Sequence, residues 1–132
     1  MKYLIFFLII TNLCFSQTKS FDEAYKKSNV FKVLMESNCE NVKTFANEDI
    51  KNENVFLFLQ GGISPIIYST DKNFEKKYSL HFYDQGCMGS QCVENYNYKV
   101  FESLYKTFGK NWIKTIRKDV IGFKSWKKIN NL

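Results

Sequence analysis

The stretch VFLFL at residues 55–59 is closed by the turn sequence Gly61-Gly62. Five consecutive apolar residues followed by glycines are too short a run for a typical helix, and they favour a buried β-strand. Two further short strands are predicted downstream, at residues 66–68 and at residues 80–83, where apolar and polar residues alternate. Together these segments predict a small antiparallel or mixed sheet of about three strands.

Helical patterns flank the predicted sheet on both sides along the chain. Residues 21–35 place apolar side chains three and four positions apart, behind a capping-box sequence that starts at Ser20. Residues 93–108 show the same periodicity and end at Gly109, and residues 112–120 place apolar side chains on one arc of a further helix. An N-terminal helix and a C-terminal helix pair around the sheet predict a single α+β domain.

The composition of the 132-residue chain is that of a globular domain, with 45% hydrophobic and 17% aromatic residues. These fractions exclude the disordered and low-complexity classes, because the apolar side chains suffice to build a core. No apolar run reaches the roughly 18 residues that a spanning helix needs. We therefore expect no membrane span.

The first residues have the three parts of an export signal. Lys2 supplies a positive charge, residues 3–10 are an unbroken apolar stretch, and Ser16 is a small residue at the expected cleavage point. We therefore predict that residues 1–16 are a signal peptide, which leaves residues 17–132 as one exported domain. The expected destination is the periplasm, the cell envelope or the medium, where an oxidising environment allows disulfides.

Two alternatives to a cleaved signal peptide remain open. A lipoprotein would be acylated at Cys14, although Leu13 is not the small residue that bacterial lipid attachment normally requires before the cysteine. A short buried N-terminal helix would instead keep these residues within the domain.

Cys87 and Cys92 lie five positions apart in a glycine-containing loop and are the strongest local signal in the chain. In an oxidising compartment this spacing favours a structural disulfide, and the small ring would contribute about 2 kcal/mol in the loop-entropy model. Cys39 would then be a buried free thiol, or it would compete for one of the pair. The alternative is a metal- or thiol-dependent site that uses Cys87, Cys92 and His81, although the spacing matches neither a redox pair nor a zinc pattern.

Positive charge is concentrated near the C-terminus. Residues 99–132 hold nine basic and two acidic side chains, whereas residues 17–98 hold nine basic and eleven acidic ones. Four basic residues of the predicted second C-terminal helix lie opposite its apolar arc and are the candidate binding residues: Lys110, Lys114, Arg117 and Lys118.

Such a basic face would contact an anionic protein, a glycan or the envelope surface. The alternative is a solvated face that only keeps the protein soluble. Nucleic acid is not expected as a partner, because the chain is predicted to be exported and has a single arginine for reading base edges.

The string FEKKY at residues 74–78, on a short predicted helix at residues 71–78, is the most distinctive motif. Four further motifs accompany it: Gly61-Gly62-Ile63, Gly86-Cys87, Tyr96-Asn97 and RKDVIG at residues 117–122. On these motifs, residues 61–122 resemble the FEKKY domain family of small exported or envelope proteins of bacteria. The resemblance implies an exported bacterial domain, and it carries over no catalytic, cofactor or binding residue.

No familiar catalytic template fits the chain. GISPI at residues 62–66 lacks the second glycine of a nucleophile elbow, and the sequence before Gly109-Lys110 lacks the first glycine of a phosphate-binding loop. The sequence therefore predicts a non-catalytic exported binding module without a cofactor, and it leaves open an enzyme of unfamiliar type.

The signal-peptide prediction is tested by the mass of the protein recovered after expression in a bacterial host. We expect a chain that begins at Gln17, carries no acyl group and is found outside the cytoplasm. An uncut chain inside the cell would contradict the prediction, and a chain that begins with a lipid-modified Cys14 would support the lipoprotein alternative.

Overall fold

The computed structural model describes residues 19–87 and 89–132, so the predicted signal peptide at residues 1–16 lies outside the described residues. In chain order the described elements are α1 (Phe21–Lys27), α2 (Val30–Met35), α3 (Cys39–Lys51), β1 (Val55–Leu59), α4 (Asp71–Tyr78), β2 (Leu80–Asp84), α5 (Val93–Phe108), a 3₁₀ helix (Asn111–Lys114) and α6 (Phe123–Ile129). The predicted α+β class is confirmed. None of these helices is long and apolar enough to cross a bilayer.

The sheet in the described part of the chain consists of β1 and β2, which run parallel with Val55 opposite Leu80 and Leu59 opposite Asp84. Parallel neighbours need a crossover connection, and α4 supplies it. The prediction of about three strands is wrong, because residues 66–68 form an exposed connection between β1 and α4 and no strand.

The other edge of β1 is completed by the segment that precedes α6. Leu59 and Val120 form an isolated antiparallel bridge, and Ile121 N donates to Phe58 O at 3.0 Å. The buried Asn97 side chain of α5 joins this contact: its Oδ1 accepts from Phe58 N at 3.0 Å, and its Nδ2 donates to Phe58 O at 2.9 Å and to Ile121 O at 3.0 Å. One buried amide thus ties α5, β1 and the C-terminal segment together.

The predicted helix at residues 21–35 is interrupted, since Ser28 and Asn29 separate α1 from α2. The interruption is fixed by the buried Asp49 of α3, whose carboxylate accepts from Asn29 N at 3.0 Å, from Asn29 Nδ2 at 2.9 Å and from the Tyr96 hydroxyl at 2.8 Å. Burial raises the pKa of the Asp49 carboxyl above its ordinary value. A tertiary hydrogen-bond network has therefore overridden the local periodicity.

The predicted second C-terminal helix at residues 112–120 is also wrong. This region contains the 3₁₀ helix and an irregular segment that pairs with β1, and α6 begins only at Phe123. Trp112, Ile116 and Val120 of the predicted arc are buried nonetheless and Ile113 is half-buried; the Trp112 ring centroid lies 5.8 Å from that of Phe101 and 5.6 Å from that of Trp126. The pattern identified core residues, but the pairing with β1 sets a backbone that is not helical.

The disulfide joins Cys39 to Cys92, and the predicted bridge between Cys87 and Cys92 is wrong. Cys39 is the first residue of α3 and Cys92 directly precedes α5, so the packing of these two helices brings the two sulfurs together. Cys92 is buried, whereas Cys87 is exposed and has a free thiol. Spacing favoured the small ring, but the contact between helices selects a bridge across 53 positions.

Replacing both Cys39 and Cys92 with Ala should lower the free energy of unfolding by about 4 kcal/mol, since the bridge closes a loop across 53 positions. Urea unfolding followed by tryptophan fluorescence measures this loss. The matched control is Cys87→Ala, which removes an exposed thiol and should change the free energy by no more than about 0.5 kcal/mol. Equal effects of the two changes would contradict the observed pairing.

Candidate functional site

Three neighbouring cavities lie along the segment between the 3₁₀ helix and α6. The central cavity, of about 530 Å³, shares Gln60, Lys118 and Lys124 with a cavity of about 460 Å³. On its other side it shares Thr70 and Thr115 with a cavity of about 410 Å³. Because they share these lining residues, the three cavities adjoin one another, and we describe them together as one groove.

Four exposed lysines line this groove, which we call the lysine groove: Lys77, Lys114, Lys118 and Lys124. None of the four forms a salt bridge within the described part of the chain. Two acidic residues also line the groove: Asp119 is paired with Arg117, and Glu94, which accepts from a tyrosine hydroxyl at 2.7 Å, adds one negative charge against the four lysines. The lysine ammonium groups therefore give the groove its net positive charge.

The predicted binding residue Arg117 lies beneath the groove surface. Its side chain is only 7% exposed; Nη1 donates to Asp71 at 2.8 Å, and Nε and Nη2 donate to the two carboxylate oxygens of Asp119 at 2.9 and 2.6 Å. The rings of Tyr68 and Phe82 lie 4.7 and 5.5 Å from the guanidinium carbon. The arginine charge is thus neutralised within the fold, and Arg117 is not a free surface charge as predicted.

The carboxyl ends of β1 and β2 position one wall of the groove. Gln60, directly after β1, donates its backbone N–H to Asp119 O at 2.8 Å. The next residue, Gly61, lies so close to Gly86 that a Cβ atom at position 61 would overlap the Gly86 backbone. Glycine therefore allows the two loops that follow the parallel strands to meet, at the edge where ligands bind in parallel sheets.

Of the three lysines predicted to bind a partner, the structure places two in the lysine groove and one outside it. Lys114 and Lys118 line the groove, whereas Lys110 is exposed at the start of the 3₁₀ helix and lines none of the three cavities. Sequence reasoning missed Lys77 and Lys124 as members of the same feature. Lys77 belongs to the FEKKY string, and it joins this feature because the fold places it in one cavity with Lys114 and Thr115.

The alternative site built from Cys87, Cys92 and His81 is not assembled. Cys92 is bridged to Cys39, so it offers no thiol, and Cys87 lies beyond the carboxyl end of β2. His81 lies near the opposite end of β2, where its Nε2 is 3.1 Å from Lys19 O. Among the residues that the structure describes, no group of three or more His, Cys, Asp or Glu side chains could hold a metal ion.

No family model, no curated protein and no solved structure matches the chain. The resemblance of residues 61–122 to the FEKKY domain family stays a prediction.

Arg117→Met should lower the free energy of unfolding by about 3–5 kcal/mol, because it leaves the buried Asp71 carboxylate without its cation. The matched control is Lys118→Met at the exposed neighbouring position, which should cost no more than about 0.5 kcal/mol. Denaturant unfolding at neutral pH measures both, and a similar small effect of the two changes would show that the buried pair does not hold the groove wall.

The loss of stability in Arg117→Met should depend on pH. Hydrogen bonds from Arg117 lower the pKa of Asp119 below the ordinary carboxyl value of 3.8. This pairing stabilises the fold above that value, and the contribution is lost as pH falls through the lowered pKa. The difference in stability between the wild type and Arg117→Met should therefore narrow as pH falls below 3.8.

Proposed function

We propose that the chain is an exported, non-catalytic binding module whose lysine groove contacts an anionic partner. The observation that carries this proposal is the placement of four lysines along three adjoining cavities, where they outnumber the two acidic lining residues and one of those acids is paired with Arg117. The excess of positive charge in residues 99–132 would also favour the approach of such a partner.

The chemistry of lysine defines the class of partner. An ammonium group is a compact charge on a flexible stem, so it contacts carboxylate, sulfate or phosphate groups without demanding one geometry. The only guanidinium of the chain, that of Arg117, is held by two carboxylates inside the fold and offers no bidentate recognition. The groove therefore supports affinity for negative charge with little selectivity between kinds of anion.

A non-catalytic role is supported by the residues that line the groove. Its described lining residues include no His and no Cys. The Glu94 and Asp119 carboxylates already accept hydrogen bonds at 2.7 and 2.6 Å. Histidine and cysteine are common general bases and nucleophiles, and these described lining residues supply neither.

Export forms part of the proposal. It is supported by the signal-like residues 1–16 and by the bridge between Cys39 and Cys92, since disulfides persist in oxidising compartments. The resemblance of residues 61–122 to the FEKKY domain family of exported or envelope proteins is consistent with the same location. An anionic protein, a glycan or the envelope itself would be available there as a partner.

Retention on immobilised heparin tests the groove with a defined polyanion. Lys114→Glu/Lys118→Glu/Lys124→Glu reverses three groove charges and should elute at markedly lower salt than the wild type, because fewer counterions are exchanged on binding. Elution salt is read directly from a gradient. Thermal unfolding checks that the variant remains folded.

The matched control reverses three exposed lysines outside the groove, in Lys26→Glu/Lys51→Glu/Lys106→Glu. Both triple variants have the same net charge, so a difference between them reports the groove and not the overall charge. We expect the control to elute close to the wild type. Equal losses in the two variants would reject the groove as the binding surface.

A further inference from the structure

We infer that the anionic partner is the surface of a lipid bilayer, which the loop at residues 62–68 enters while the lysine groove contacts the headgroups. This inference rests on the proposed function, because it names the partner of the same groove. It also accounts for a second feature of the structure that the lysines alone leave unexplained, namely the exposed isoleucines of this loop.

The loop at residues 62–68 presents three isoleucines to solvent within five positions. Ile63 is 100% exposed, Ile67 is 80% exposed and Ile66 is 59% exposed. Scattered apolar residues on a surface are ordinary, but a cluster of large aliphatic side chains rimmed by polar residues marks a site for contact with a protein or a membrane.

The structure holds both ends of this loop in place. At its start, Gly61 packs against the backbone of Gly86. At its end, Tyr68 N donates to Asp71 Oδ2 at 2.9 Å, and the Tyr68 ring lies over the Arg117 guanidinium. The isoleucines are therefore presented from a fixed base, so that inserting them does not require the fold to open.

The loop and the lysines meet at the central cavity of the groove. Tyr68 and Thr70, at the end of the loop, line this cavity together with Lys118 and Lys124. Tyr68 is 48% exposed, and tyrosine is enriched at the headgroup level of membranes, between hydrocarbon and water. Tyr68 thus adjoins both the isoleucines, which precede it in the loop, and the lysines, with which it lines the cavity.

An anionic bilayer fits these features better than a protein partner does. A protein would need an apolar pocket for the projecting isoleucines and an acidic surface at the right distance from it. An anionic bilayer offers negative charge across its whole surface, with hydrocarbon directly beneath the headgroups. Affinity therefore follows from buried apolar area and from charge, without a matched shape. The low selectivity of lysine for kinds of anion suits such a surface.

Co-sedimentation of the exported, processed chain with phosphatidylcholine vesicles, with and without phosphatidylglycerol, tests the inference. We expect binding only when the anionic lipid is present, and release at high salt. Ile63→Ser/Ile67→Ser should weaken binding by at least about tenfold, because two aliphatic side chains no longer enter the bilayer. Lys114→Glu/Lys118→Glu/Lys124→Glu should weaken it by about a hundredfold.

Matched controls remove the same kinds of group elsewhere. Phe31→Ser/Met35→Ser removes two apolar side chains of α2 that are 63% and 61% exposed, and Lys26→Glu/Lys51→Glu/Lys106→Glu reverses three exposed charges outside the groove. Both controls should bind the vesicles within about twofold of the wild type. All four variants alter exposed residues, and their thermal unfolding is compared with that of the wild type before binding is measured.

The outcomes of this experiment distinguish failure of the lipid inference from failure of the proposed function. Retention on heparin through the groove without binding to phosphatidylglycerol vesicles would overturn the lipid inference and leave the proposed function standing, with a soluble polyanion or an acidic protein as the partner. Equal vesicle binding by Ile63→Ser/Ile67→Ser and by its α2 control would also overturn it. If the groove variant behaves like its charge-matched control in both the heparin assay and the vesicle assay, the proposed function is rejected together with the inference.

Discussion

The Arg117 guanidinium joins parts of the chain that are distant in sequence, because it bonds Asp71 at the start of α4 and Asp119 in the segment that pairs with β1. Charges buried to this extent are favourable only when each finds a partner, so the position of one carboxylate constrains the other. The Tyr68 ring on the guanidinium adds the end of the loop at residues 62–68 to the same contact. One neutralised cation therefore connects three segments that border the central cavity of the lysine groove.

Two buried polar side chains, Asn97 and Asp49, connect the small sheet and the helices through hydrogen bonds. A two-stranded sheet is marginal by itself, and Asn97 compensates by bonding the backbone of Phe58 and linking it to Ile121. Asp49 acts similarly among the N-terminal helices, where it joins Asn29 to the Tyr96 hydroxyl of α5. Since α5 carries Asn97 and Tyr96 side by side, the helix organises both halves of the core through hydrogen bonds as well as apolar contacts.

The elements that the sequence predicted correctly are those that local patterns determine. The run at residues 55–59 is β1, and the periodicity of residues 93–108 is α5 with its stop at Gly109. The incorrect predictions concern segments whose structure depends on contacts with residues that are distant in sequence. Residues 112–120 have helical spacing but pair with β1, and Cys92 pairs with Cys39 of α3, the helix that packs on α5.

The site was predicted only in part for the same reason. A helical projection put Lys114, Arg117 and Lys118 on one solvated face, because charge alone does not distinguish a cation that meets carboxylates from one that meets water. In the fold, Arg117 turns inward to Asp71 of α4 and to Asp119 of its own segment, and the exposed Lys114 and Lys118 beside it form no salt bridge within the described residues. Although the Arg117 charge is offset inside the fold, the groove stays positive. Asp119 is paired with the same arginine, so its negative charge does not offset a lysine. The buried pair thus leaves a surface of uncompensated ammonium groups beside exposed isoleucines, which is the combination that an anionic interface with an apolar interior stabilises.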